Sequence, residues 1–207
     1  MSGVLLTSPC VITSCRSKAL VDAGYEIPAV ITVADKPAGR GRKLRESAVK
    51  KCAMSNGLKV LQPINLKDEN FIGELQSLNA DLFIVVAFRM LPEVVWAMPP
   101  MGTFNLHGSL LPKYRGAAPI HWAIINGDKK SGLTTFLLDK EIDTGGTLLQ
   151  VEHAISPGTT TGQLHDELMA LGPDLVLRTV EGLISGALTP SAQEDHLATH
   201  APKLNKE

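Results

Sequence analysis

The six residues Leu82–Ala87, LFIVVA, are apolar without a break. A strand half exposed to water alternates apolar and polar residues, so this run needs cover on both faces. It follows a helical pattern at Asp68–Leu78, where Phe71, Leu75 and Leu78 share one side. Further strands are predicted at Ile27–Val33, Lys59–Leu61, Met101–His107, Leu133–Leu138 and Thr147–Glu152. Helices are predicted at Ala48–Asn56, Ala117–Asn126 and Thr161–Ser185, the last with Gly172-Pro173 as a candidate interruption. Strands alternating with helices dictate an α/β fold, a mostly parallel sheet with helices on both faces. With 207 residues, 44% of them apolar, the chain can bury a sizeable core. Residues 1–189 carry the pattern; 190–207 are polar and read as a linker or tail.

Charge and cysteine usage narrow the function. The 20 basic and 21 acidic side chains nearly cancel, so only local clustering can speak for nucleic acid. Three cysteines, Cys10, Cys15 and Cys52, give no disulfide framework and fit a reducing, cytoplasmic compartment. Neither they nor the scattered histidines His121, His153, His165, His196 and His200 have metal-ligand spacing, so no metal is expected. No apolar run is long enough for a membrane span, and the N-terminus lacks the basic region of a signal peptide.

One segment breaks the charge balance. Lys36–Lys51, KPAGRGRKLRESAVKK, has seven basic residues and one acid. It reads equally well as a solvated loop leading into a helix or as a phosphate contact. For the second reading, Gly39 and Gly41 let the backbone bend while Arg40, Arg42, Lys43 and Arg45 donate. It matches neither a dinucleotide fingerprint nor a P-loop.

Candidate chemistry sits in FNLHGSLLPKYRGAAPI, Phe104–Ile120. Residues two apart on a strand share a face, so Asn105 and His107 project together where the strand stops. Ligand crevices of open α/β sheets lie at such strand ends. Asn supplies an amide for a developing oxyanion, and His moves a proton near neutral pH. A second polar turn, Asp139–Gly146 (DKEIDTGG), offers Asp143. The three together suit acyl transfer to an amine. Ser109 lacks a nucleophile elbow and reads as a ligand contact or turn former.

These motifs, with DKPAGRGRKL at Asp35–Leu44 and VVAFRMLP at Val85–Pro92, resemble the folate-dependent formyltransferases from about Ala19 onward, and within them the branch acting on methionyl-tRNA. The resemblance implies a Rossmann-like catalytic domain that passes the formyl group of 10-formyltetrahydrofolate to the amino group of methionyl initiator tRNA. It places the catalytic roles on Asn105, His107 and Asp143. It implies folate contacts from Arg89, Met90 and Leu91, from Ser109, Leu110, Leu111 and Pro112, and from Ile142, Thr144 and Gly145. It implies tRNA contacts from Lys36, Arg40, Arg42 and Lys43. A cytoplasmic monomer is expected, with folate and tRNA as partners and no membrane.

Two features depart from the family pattern. Leu5–Ile12 replaces a Gly-Thr-Pro-x-Phe-Ala turn, which makes residues 1–18 atypical and puts the first, central strand in question. A shifted reading frame and ordinary divergence both give this. The chain also ends where a linker to a small β-barrel is expected, so weaker tRNA binding follows. Glycinamide ribonucleotide or an amino sugar is the alternative acceptor, and a catalytically weak fragment that binds folate or tRNA is the alternative class.

Overall fold

The computed structural model describes residues 3–7, 16–38, 43–86 and 90–205, with the backbone alone for 3–7, 16–18, 36–38 and 43–45. They form two compact units, 1–104 and 105–207.

In the first unit, β1 (Gly3–Thr7) and α1 (Arg16–Asp22) precede β2 (Val30–Ile31). The short strands β3 (Lys36–Ala38) and β4 (Lys43–Arg45) form an antiparallel hairpin, so the basic segment is not a plain loop. Then come α2 (Ala48–Ser55), β5 (Val60–Leu61), α3 (Glu69–Ser77), β6 (Leu82–Val86) and α4 (Glu93–Trp96). The strand order is β5-β2-β1-β6, all parallel. The atypical N-terminus therefore supplies the central strand after all: Gly3–Thr7 pairs with all five residues of Leu82–Val86. Every residue of β6 is buried, which accounts for its unbroken apolar run. Helices α2 and α3 begin where the sequence offers caps: Ser47 accepts from Lys50 N–H and Asp68 from Phe71 N–H. β2 is shorter than the predicted Ile27–Val33, although Ala29, Val30, Ile31 and Thr32 are fully buried.

The second unit opens within β7 (Thr103–His107) and continues through α5 (Pro119–Ile125), β8 (Lys130–Leu137), β9 (Thr147–Ala154) and α6 (Thr161–Ile184). Its strand order is β7-β8-β9, with β8 and β9 antiparallel. α6 starts at a complete capping box, Thr160 with Gln163, and packs on β8 and β9. It runs through Pro173 without stopping, contrary to the predicted interruption. The proline removes one backbone donor. Leu168, Leu175 and Val176, all within 2% of full burial, carry the helix across it. Residues 190–205 lie against this unit: Thr147 and Ser191 pair through both backbone N–H groups, a 3-10 turn covers Asp195–Leu197, and Ala201 is fully buried. Among the described residues, no helix is long and apolar enough to cross a membrane.

Candidate active site

β7 presents Asn105 and His107 on one face, while Phe104 and Leu106 are buried on the other. His107 is 6% exposed, and the ring of Phe136 on β8 meets it edge-on at a centroid distance of 6.3 Å. The chain leaving β7 doubles back, and His107 Nε2 lies 2.9 Å from the Tyr114 carbonyl oxygen. A carbonyl only accepts, so Nε2 carries the proton and Nδ1 is left as the basic nitrogen. Nδ1 faces Asp143 Oδ2 at 3.7 Å. That is too long for a hydrogen bond, yet within Coulombic reach of a proton added at Nδ1.

Asp143 is held from both ends. Its Oδ2 accepts from Gly116 N–H at 2.7 Å. Its backbone adopts φ 57°, a left-handed conformation that a side chain adopts only under constraint. Its carbonyl accepts from Gln193 Nε2 at 2.9 Å, and the same amide donates to the Gly145 carbonyl at 2.8 Å. Gly145 is required here by close approach: a Cβ would stand 1.8 Å from the Leu137 carbonyl oxygen.

Asn105 completes the group. Its Oδ1 is buried and, among the described residues, has no hydrogen-bond partner. Buried amides are almost always paired, so this atom marks a place for a ligand's donor.

The loop Ser109–Pro112 is fixed from below. Thr134 Oγ1 donates to the Ser109 carbonyl at 2.7 Å and accepts from Leu111 N–H at 3.0 Å. Gln150 Nε2 reaches both Thr134 Oγ1 and the Leu111 carbonyl. Ser109 Oγ donates to the Lys113 carbonyl at 2.6 Å, so the hydroxyl shapes the turn. Leu110 packs against Gly132, Leu111 is buried, and the Leu111–Pro112 peptide is cis.

The remaining sequence candidates distribute as follows. Ile142 is 57% exposed, Thr144 donates to the Glu141 carbonyl, and both flank Asp143. In the first unit, Met90 is exposed and Leu91 buried. Lys36 and Lys43 lie at the two ends of the hairpin, opposite Arg45 and Ala38. Arg40, Arg42 and Arg89, with Cys10 and Cys15, fall outside the described residues. Several of the other histidines sit beside carboxylates: His153 with Glu167, His165 with Asp166 and His196 with Glu194. Sequence reasoning missed Tyr114, Arg115, Thr134, Gln150 and Gln193. Apart from the Tyr114 carbonyl, which meets His107 seven positions back, their work is done through contacts far apart along the chain, and only Tyr114-Arg115-Gly116 lies within the Phe104–Ile120 motif.

Comparison with known proteins gives the family and the fold. The family described as Formyl transferase matches residues 4–180. The methionyl-tRNA formyltransferase of Flavobacterium johnsoniae is 57% identical over 190 residues, covering 91% of this chain and 60% of that protein. That of Bacteroides thetaiotaomicron is 54% identical over 192 residues, with coverage of 91% and 60%. The chain thus spans about 60% of the length of these curated relatives. Among solved structures, glycinamide ribonucleotide transformylase 1 from Symbiobacterium toebii superposes with a TM-score of 0.76 at 18% identity, covering 93% of this chain and 92% of that one. A sugar 3N-formyl transferase, WlaRD, solved in the presence of dTDP and 5-N-formyl-THF, gives 0.72 at 19% identity, covering 98% of this chain and 70% of that one. At those identities the structures establish the fold, Rossmann-like with a mixed, mostly parallel sheet. On the family match across residues 4–180 and relatives above half identity, the chain belongs to the formyl transferase family.

Proposed function

We propose that this chain transfers a formyl group from 10-formyltetrahydrofolate to the amino group of methionyl initiator tRNA, acting as a cytoplasmic monomer. The observation that carries the reading is the unpaired Asn105 amide oxygen on the same strand face as a His107 whose Nδ1 looks onto Asp143. Formyl transfer needs these three services: a group to hold the amine, a base to take its proton, and a carboxylate to balance the charge.

The co-substrate supplies the formyl carbon. Asn105 Oδ1 accepts an N–H of the attacking amine, and its Nδ2 donates to the formyl oxygen as that oxygen gains negative charge. His107 Nδ1 takes the proton that the amine gives up and returns it to the leaving nitrogen. Asp143 stabilises the transient imidazolium, and Tyr114 keeps the proton on Nε2 throughout. The folate contacts are Arg89, Met90 and Leu91, the Ser109–Pro112 loop and the turn bearing Ile142, Thr144 and Gly145. The tRNA contacts are Lys36, Arg40, Arg42 and Lys43. What supports tRNA over glycinamide ribonucleotide or an amino sugar is the 57% and 54% identity to relatives named for that acceptor, together with the basic hairpin.

The test offers the purified chain 10-formyltetrahydrofolate with methionyl initiator tRNA and, separately, glycinamide ribonucleotide. Transfer to the tRNA is expected, reduced at least about 100-fold by Asn105→Ala and by His107→Ala. Transfer to glycinamide ribonucleotide alone, or tRNA formylation that survives both substitutions, refutes the reading.

A further inference from the structure

We propose that Gln193 is a positioning residue for formyl transfer: it fixes the Asp143–Gly145 turn and thereby the place of the Asp143 carboxylate beside His107. The proposal rests on the functional reading above.

The orientation of this amide is not ambiguous. Its oxygen receives Arg115 Nε at 3.1 Å and Nη2 at 2.8 Å, and a guanidinium can only donate. The nitrogen must then face the turn, where its two N–H groups meet the two carbonyls of Asp143 and Gly145. Both donors and the acceptor are in use. Arg115 is itself 8% exposed and gives Nη2 also to Asp195. Its backbone is fastened to the same C-terminal segment, with Arg115 N–H on Thr199 O at 2.8 Å and Ala201 N–H on Arg115 O at 2.7 Å.

The arrangement closes on itself. Arg115 sits between Tyr114, whose carbonyl holds His107, and Gly116, whose N–H holds the Asp143 carboxylate. Gln193 connects the Arg115 side chain to the backbone of Asp143. The two ends of the His107–Asp143 pair are therefore referenced to one residue, and Gln193 is the link on the carboxylate side. Asp143 needs such a link because its left-handed backbone is intrinsically unfavourable and the turn beside it is exposed at Ile142. At the other end of the turn, Leu137 N–H on Gly146 O at 2.9 Å holds the chain to β8.

The test uses Gln193→Glu and Gln193→Met. The first keeps an acceptor for Arg115 but has no donor for the two carbonyls near neutral pH; the second has neither. Two readouts are taken: amide hydrogen exchange at Gly116, and kcat and KM for tRNA formylation. A positioning role predicts that Gln193→Glu loses Gly116 protection, while the Arg115 and Ala118 amides, which bond to Thr199 and Ala201, stay protected. It predicts a kcat roughly 10- to 100-fold lower with KM for tRNA within about twofold, since a misplacement of about 1 Å can cost that much. If Gln193→Glu keeps Gly116 protected and only Gln193→Met is affected, the residue is a strut for Arg115 and the proposal fails. Should Gln193→Glu not fold, Gln193→Asn, one methylene shorter, replaces it with the same two criteria. Should the parent chain transfer no formyl group, the functional reading has failed, and the Gly116 exchange alone decides whether Gln193 holds the Asp143 turn.

Discussion

Gly145→Ala tests how firmly the Asp143 turn is seated. Gly145 has no left-handed backbone, so the substitution is not about conformational freedom. It is about space: the new methyl would lie 1.8 Å from the Leu137 oxygen and 2.9 Å from its carbonyl carbon. Ordinary contact begins near 3.4 Å, and both obstacles are backbone that cannot rotate away. The turn must lift from the end of β8 by about 1.5 Å to relieve the clash. In doing so it breaks the Leu137 N–H to Gly146 O bond and strains both bonds from Gln193. Overpacking costs about 1–3 kcal/mol and a lost backbone bond about 1 kcal/mol, so the loss is about 2–4 kcal/mol. For a chain of this size that lowers Tm by roughly 5–15 °C. The rate of formyl transfer falls further, on the order of 100-fold, because Asp143 moves with the turn. Gly162→Ala is the control, since its methyl meets nothing within 4 Å in the first turn of α6, and it should be neutral or slightly stabilising. Thermal unfolding by circular dichroism and a single-turnover assay measure both quantities. A Gly145→Ala variant within about 1 °C and twofold of the parent would show that the turn is not pinned against β8.

Two further perturbations probe separate parts of the chain. Thr134→Val keeps the shape but leaves the buried Leu111 N–H without its partner and takes hydrogen bonds from Ser109 and Gln150, for an expected loss of about 2–4 kcal/mol in urea unfolding; an unchanged midpoint would remove Thr134 as the anchor of the Ser109–Pro112 loop. In the first unit, the hydrogen bond from Lys50 holds the Asp35 carboxyl below its ordinary range, helped by Gln62, and Asp35 raises Lys50 in turn. The Asp35 contribution is present above its unfolded value of 3.8 and lost as pH falls through the lowered folded value; the Lys50 contribution is present below 10.5 and lost as pH rises through the raised one. Asp35→Asn should therefore lower the urea midpoint across the range between, with the difference closing in strong acid, and a difference that persisted there would disprove the linkage.

What the sequence made legible follows from where the deciding interactions lie along it. The run Leu82–Val86 announced a strand because a strand buried on both faces has no polar positions. Asn105 and His107 could be paired because strand alternation is local. The hairpin Lys36–Arg45 was hidden because its charges masked short antiparallel pairing, and the continuity of α6 through Pro173 was hidden because packing overrode a local penalty. Gln193 was least legible of all. It stands in a polar stretch without period, and its partners lie 48, 50 and 78 positions away. A residue whose role is to satisfy distant backbone carbonyls leaves no pattern near itself.

The placement of strain gives that distant residue its importance. Tyr114 at φ 61°, Gly116 at φ 122° and Asp143 at φ 57° all hold left-handed backbone within or beside the site. Strained residues persist only where their surroundings over-determine them. Here the surroundings are largely residues 191–201. Tyr114 N–H bonds to Thr199 Oγ1, Thr199 N–H to Pro112 O, and Ala118 N–H to Ala201 O. A Cβ at Gly116 would come within 2.8 Å of the Ala201 oxygen, so the two segments lie nearly backbone to backbone. Part of what keeps Tyr114 and Asp143 in place is therefore supplied by a segment with no chemical group of its own at the reacting atoms. Perturbations that loosen Thr199 or Ala201 therefore reach the His107–Asp143 pair through Tyr114 and Arg115, and the Ser109–Pro112 loop through Pro112, each of which is bonded directly to that segment.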